Sequence, residues 1–268
     1  MPVVIGQERL IQDRGHTRWR RLYVIALTLL IPVSVSADEE TRDLEDFHDI
    51  EINIPHDVEL VRSDIPWVKL EGNASAIKDI DTVVVNGKLR ISQDDGWFSW
   101  GRNEDVHLSV GYTELEAVTI NGSSETYAET LTGDDLSLAI AGSGDLEIDV
   151  LESKDVVISV MGSGNVEIQK LDTRDLSTKI SGSGSIKILG SCETQEVNIT
   201  GSGDYAAEEF KSLQADVTIR GSGDAEMWVE NQLNIAITGS GDLVLYGDPS
   251  ITKSVSGAGS LEQRTKPL

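Results

Sequence analysis

One cysteine, Cys192, is present in 268 residues, so no intrachain disulfide can staple this chain. Cations are scarce as well: 22 Lys and Arg face 46 Asp and Glu, a formal net charge of −24. That balance argues against nucleic acid and anionic lipid as partners, because phosphate binding needs lysine and arginine to displace counterions. Cations or basic proteins fit such a surface better. Apolar runs are short. The longest, "LYVIALTLLIPVSV", has about 14 residues and is interrupted by Pro32, against the ~20 that a membrane-spanning helix requires. Nucleotide loops of the "GxxxxGK[ST]" and "GxGxxG" types are missing, as is the "GxSxG" elbow of serine hydrolases. His48, His56 and His107 show no ligand spacing, and no segment after residue 40 combines helix caps with an amphipathic period.

The first 37 residues have the order of a secretory signal: a basic part ending "TRWRR", the apolar run, and "VSA" ahead of "DEE". Cleavage after Ala37 is expected, with a retained anchor as the alternative. Removing Arg9, Arg14, Arg18, Arg20 and Arg21 with Glu8 and Asp13 takes away a net +3, so the mature chain carries −24 − 3 = −27. Cys192 lies far from the junction where a lipoprotein would need its lipidated cysteine, so the mature chain is expected to be exported without an anchor or membrane span. Its destination is the periplasm, the cell surface or the medium.

Beyond this segment the chain repeats. Aligned on the first glycine of "GSGD" and its variants, Gly142, Gly162, Gly182, Gly201, Gly221, Gly239 and Gly257 recur at spacings of 20, 20, 19, 20, 18 and 18, and "NGSSE" at Gly122 is a degraded eighth copy. Fixed spacing in this range indicates a solenoid. Two residues before the markers stand Ile140, Val160, Ile180, Ile199, Ile219, Ile237 and Val255, and after the corner come Leu146, Val166, Ile186, Tyr205, Ala225, Leu243 and Leu261. These columns alternate with polar positions, as in strands with one dry face and one wet face. The expected fold is all-β, a parallel β-helix or solenoid of 18–20-residue coils with GSG corners, since in-register stacking rewards the same residue at the same position. A meander of antiparallel hairpins is the alternative reading. Lys253 and Gln263 replace apolar residues in the last copy, as a solvated end requires.

Positive φ at the bend explains the glycines, and serine and aspartate can bond N–H groups that the bend leaves unpaired. Turn-capping is therefore the leading reading of the column Asp145, Asn165, Ser185, Asp204, Asp224, Asp242 and Ser260. The acidic members Asp145, Asp204, Asp224 and Asp242 are also candidate calcium ligands, although the nine-residue "GGxGxD" period of calcium solenoids is missing. Trp97, Phe98 and Trp100 in "DDGWFSWG" are candidates for a glycan or partner surface, with packing against the coil as the competing reading. Outward carboxylates such as Glu147, Glu167, Glu226 and Glu262 admit a carbohydrate-active enzyme, but an acidic solvated face is the ordinary expectation. Cys192 is expected to be buried rather than nucleophilic.

Residues 38–120 lack the marker but keep alternating runs such as "DIEINI", "VKLEG" and "KLRIS". They are expected to be early, irregular coils of a single solenoid domain, residues 38–268, whose regular repeats span 121–268. "DEETRDLEDFHD" is expected to be a solvated lead.

With its "GSGD" run, the ending "LVLYGDPSITKSVSGAGS", the opening Phe47 to Ile50 and the "GKLRI" strand at 87–91, the chain resembles the putative auto-transporter adhesin, head GIN domain family over roughly residues 44–265. The resemblance implies a right-handed β-helix exported to the envelope or beyond, and it transfers no catalytic residue, cofactor or ligand. The functional expectation is a non-enzymatic, adhesin-like binding or structural module of the cell envelope, with an envelope protein or glycan as partner.

Overall fold

Stacking turns the repeated columns into strands. A computed structural model describes residues 38–93 and 105–264. From the degraded copy onward the chain runs through β8 (Ala117–Gly122), β9 (Glu125–Thr132), β10 (Asp135–Gly142), β11 (Asp145–Glu152) and β12 (Asp155–Gly162). It then enters β13 (Asn165–Gly182), β14 (Ser185–Gly201), β15 (Asp204–Gly221) and β16 (Ala225–Gly239), which run unbroken through the second turn of their coils, and ends in β17 (Leu243–Tyr246), β18 (Ser250–Gly257) and β19 (Leu261–Arg264). Strands that enter the corner pair in parallel with those entering it one coil away, and strands that leave it do likewise. The parallel coil is therefore the architecture, and the hairpin meander is excluded.

Eight marker glycines, Gly122 to Gly257, lie in register on successive rungs. Each following residue, from Ser143 to Ala258, donates its backbone N–H to the marker carbonyl one rung back, always at 2.8 Å. The two glycines of the corner serve different ends. Gly182 has φ +133°, and a Cβ there would also stand closer than 3 Å to Gly162 O. Gly164 has no positive φ, yet a Cβ on it would meet Gly144 O and the Ile140 Cγ2 methyl just as closely. The first glycine is thus required by conformation and stacking, the second by stacking alone. Conformation does not explain both, as the sequence suggested.

Between the two sheets lies a core of Leu, Ile and Val. Ile140, Val160, Ile180, Ile199, Ile219 and Ile237 are all buried, and removing one such side chain to alanine costs about 2–5 kcal/mol. Thr178 interrupts a neighbouring column and satisfies its hydroxyl by donating to Glu196 O at 3.2 Å. The single 19-residue spacing is absorbed at Gly190, φ +132°, which follows a register shift and pairs with Leu171. At the last rung Lys253 and Gln263 are exposed, as a solvated end requires.

The early strands are β2 (Asp49–Asn53), β3 (Val58–Arg62), β4 (Trp67–Gly72), β5 (Ile80–Val85), β6 (Lys88–Gln93) and β7 (His107–Tyr112). Their stacking order departs from chain order. The β2–β3 coil pairs on one side with β8 and β9 and on the other with β6 and β7, so it is inserted between segments that follow it in sequence. The β2–β3 coil continues the parallel stack, but its end is antiparallel: β4 pairs with β7, and β5 with β6.

Two expectations are corrected at this end. Residues Asp38–Asp43 of the supposed lead form strand β1, antiparallel to β4; its charged residues are exposed, so no alternation marks it. Arg42 secures it by donating to Ile80 O at 2.7 Å and Thr82 Oγ1 at 3.1 Å. A short helix, α1 (Ala74–Lys78), links β4 to β5, with Asn73 Oδ1 accepting the Ser75 N–H at 2.8 Å. It buries Ala76 and Ile77, and five residues are too few to show an amphipathic period.

Candidate functional site

Regular stacking converts each sequence column into a surface stripe. On the sheet that leaves the corner, the outward positions hold Glu125, Glu129, Asp145, Glu147, Asp149, Glu167, Asp204, Glu208, Asp224, Glu226, Asp242 and Glu262, with Lys187, Lys211 and Arg264 among the cations. On the sheet that enters it, the two columns nearest the corner read Thr119, Ala139, Ser159, Lys179, Asn198, Thr218, Ala236, Ser254 and Asn121, Ala141, Met161, Ser181, Thr200, Arg220, Thr238, Ser256. One face is thus strongly acidic, whereas on the other the strip beside the corner carries small hydroxyl, amide and methyl groups with Lys179 and Arg220, and the acids Asp135, Asp155, Asp175, Glu196 and Asp216 stand farther from the corner. Val157 and Met161, each 49% exposed, both face outward from β12 on this side, with Ser159 between them.

The corner aspartates bond from rung to rung. Asp145 Oδ1 accepts the Asn165 N–H at 2.9 Å, Asp224 Oδ1 that of Asp242 at 2.8 Å, and Asp242 Oδ1 that of Ser260 at 2.7 Å. They cap N–H groups one coil on rather than in their own bend, while the corner serines are exposed. Asp204, Asp224 and Asp242 occupy consecutive rungs, spaced by ~4.8 Å, so the outer two are ~10 Å apart. Calcium ligands lie within ~2.6 Å of the ion, so one ion can touch two of these rungs but not three. Trp97, Phe98 and Trp100 lie outside the described residues.

Two of the carboxylates that would serve hydrolysis, Glu167 and Glu262, are tuned the wrong way for a general acid. Lys187, 2.7 Å from Glu167, holds that carboxyl below its ordinary value, and Arg264 does the same to Glu262 at 2.8 Å. A general acid needs its pKa raised. An open cleft of about 610 Å³ on the second-turn side has cations, but they are engaged. Lys154 pairs with Asp134 at 3.0 Å, Arg174 with Asp155 and Asp175, and Lys211 Nζ lies 4.3 Å from the centre of the Trp228 ring. Trp228, Tyr246 and Arg264 continue from Lys211 on successive rungs, a ladder of cation, two aromatics and cation that binds the last coils together.

Cys192 borders this cleft but is 7% exposed, and burial pushes its thiol up to about 12. It is a core residue, as expected. Ellman's reagent is expected to leave it unmodified in the folded protein over an hour and to label one thiol per chain in denaturant; rapid labelling of the native protein would contradict the buried placement.

One constellation escaped the sequence altogether. His48 Nδ1 lies 3.1 Å from Asp49 Oδ1 and 3.4 Å from Glu116 Oε2, beside an open cleft of about 650 Å³. Glu116 is distant in the chain and arrives only because β8 stacks directly on β2. No signal in the sequence marked this pair.

Comparison with known proteins agrees with the geometry. A crystal structure of a putative lipid binding protein from Parabacteroides distasonis is similar with a TM-score of 0.80 at 23% identity, over 86% of this chain and 98% of that one. Putative adhesins from Parabacteroides merdae (TM-score 0.73, 20% identity, 86% and 97% covered) and Parabacteroides distasonis (0.77, 20%, 85% and 97%) share the same fold. No curated protein matches the chain. The family described as the putative auto-transporter adhesin, head GIN domain, matches residues 46–169 and again 148–249, the overlap reflecting the internal repeat. The chain therefore belongs to the putative auto-transporter adhesin, head GIN domain family.

Proposed function

We propose that this chain is an exported, non-enzymatic binding module of the cell envelope, which holds a partner on the sheet face that enters the corner. The observation that carries this reading is the contrast between the acidic sheet face and the weakly charged strip beside the corner on the other face. A chain of net charge −24 repels anionic polymers over most of its surface. The hydroxyl and methyl columns instead offer hydrogen bonds and flat apolar contact at ~4.8 Å intervals, chemistry suited to a neutral glycan. The lowered carboxyls of Glu167 and Glu262 support binding over hydrolysis. The adhesin descriptions of the structural relatives point the same way, and the family supports an extracellular or surface location.

The test is a screen of the mature chain against glycans and purified envelope proteins, with Val157→Glu/Met161→Glu to add charge to that face and Glu147→Gln/Glu226→Gln as the control on the acidic one. Both pairs are exposed or half-buried outward positions that tolerate exchange without loss of core. Binding to a neutral glycan, weakened about tenfold or more by the first pair and unchanged by the second, is the expected result. Binding that follows the acidic pair instead, or no binding to any neutral glycan, would overturn the assignment of the face.

A further inference from the structure

We propose that His48, Asp49 and Glu116 form a binding site for a divalent transition metal of the zinc type, which fastens the out-of-order first coil to the regular stack. This site is independent of the proposed glycan face. The donor set is one imidazole nitrogen and two carboxylate oxygens, all within 4.8 Å of one another. Zinc binds such atoms at about 2.0–2.2 Å, so neighbouring ligands of a tetrahedral centre stand ~3.3–3.6 Å apart. The observed separations from Nδ1, 3.1 and 3.4 Å, need only small side-chain adjustments to meet that spacing.

The imidazole is held for this role by the backbone around it. Gly87, φ +75°, lies under the ring, and a Cβ there would collide with His48 Nε2 and Cδ2. In this orientation the ring lies against the open face of a glycine, with Nδ1 turned toward the two acids. Main-chain bonds fix its height in the stack: His48 N–H donates to Gly87 O at 2.9 Å, and Glu116 N–H donates to His48 O at 2.8 Å. Three strands of chain that are far apart in sequence meet at this point.

The surrounding charge favours a cation. Glu114, Asp134, Asp135 and Glu152 line the adjoining cleft, with Arg62 as its cation, and Lys88 Nζ stands 3.8 Å from the other oxygen of Asp49. A metal would sit between His48 Nδ1 and the two carboxylates, leaving its fourth position to water. An imidazole donor selects zinc, nickel or copper over calcium, which prefers oxygen. Because His48 precedes β2, Asp49 opens it and Glu116 precedes β8, the ion would bridge two coils and raise thermal stability through binding to the folded state alone.

The experiment is calorimetry and thermal melting of the tag-free mature chain with zinc chloride, and separately with calcium chloride. One zinc per chain and a zinc-dependent rise in melting temperature are expected, with a much smaller effect of calcium. His48→Ala and Glu116→Gln are each expected to weaken zinc binding at least about tenfold, whereas His107→Ala, at another exposed histidine, leaves it unchanged. Absence of zinc binding, or equal binding by the His48→Ala and Glu116→Gln variants, would overturn the site. Glu116 is 72% exposed, so its variant keeps the test decisive should His48→Ala fail to fold.

Discussion

Replacing Gly182 with alanine is expected to cost about 4–6 kcal/mol of folding stability, a large part of the ~5–15 kcal/mol that holds a typical domain together. Two penalties meet at this position. Its φ of +133° belongs to a region essentially reserved for glycine, which costs a side-chain-bearing residue about 1–3 kcal/mol. Its Cβ would in addition overlap the Gly162 carbonyl, a backbone atom that cannot rotate away and that accepts the Ser183 N–H. Overpacking of this kind costs about 3 kcal/mol or more when the obstacle is main chain. Two further variants separate these contributions. Gly122, φ +113°, has nothing within 4 Å of its Cβ position, so Gly122→Ala reports conformational strain alone, about 1–3 kcal/mol. Gly164 lacks the positive φ but faces the Gly144 carbonyl, so Gly164→Ala reports stacking alone, about 3 kcal/mol. Urea unfolding of the three variants in one buffer is the measurement. If Gly182→Ala were no worse than Gly122→Ala, the rungs would be sliding apart at little cost, and the close stacking of corner glycines would not be what fixes the coil.

The same physics explains how much of the molecule was legible beforehand. In-register parallel stacking places Ile140 over Val160 and Gly142 over Gly162, so any residue with a positional reason recurs in every coil and the period shows in the sequence. The strands, the inward columns and the exposed last rung all follow from that repetition. Where stacking does not repeat, the sequence falls silent. Strands β2 and β6 each alternate, but alternation alone does not say which lies against β8, and the insertion of β2 between the two is invisible. The meeting of His48 with Glu116 was hidden for that reason. Strand β1 was missed because an edge strand of exposed charges has no dry face, and α1 because a single turn held by Asn73 carries no period. The distinct role of the second corner glycine was also hidden, since its constraint comes from the neighbouring coil rather than from its own backbone.

Gln195→Leu sets sequence logic against structure most sharply. Gln195 occupies an inward column in which Leu136, Val156, Leu176 and Leu233 stand on other rungs, so restoring leucine reads as a stabilising return to the repeat. The opposite is expected: a loss of about 2–3 kcal/mol. Three buried polar side chains form one chain of hydrogen bonds here. Tyr205 Oη donates to Gln195 Oε1 at 2.9 Å, Gln195 Nε2 donates to Ser212 Oγ at 2.7 Å, and Ser212 Oγ donates onward to Trp228 O at 3.2 Å. All three residues are at most 3% exposed, and burial pushes the Tyr205 phenol well above its ordinary value, so it remains a donor. Leucine would leave that hydroxyl with no acceptor inside the core, and an orphaned buried donor costs about 1–3 kcal/mol, beyond any gain from apolar volume. The room for Tyr205 comes from Ala207 and Ala225, small residues where other coils carry larger ones, so tyrosine, glutamine and serine act as one packing unit. Tyr205→Phe alone removes a donor but leaves an amide that still bonds Ser212, and should cost about 1 kcal/mol. The double variant Tyr205→Phe/Gln195→Leu removes donor and acceptor together and is expected to be at least about 1 kcal/mol more stable than the sum of the single losses predicts. Strict additivity in denaturant unfolding, or a Gln195→Leu protein more stable than the parent, would show that the glutamine is an imperfection in the repeat rather than the partner that lets a tyrosine hydroxyl sit inside it.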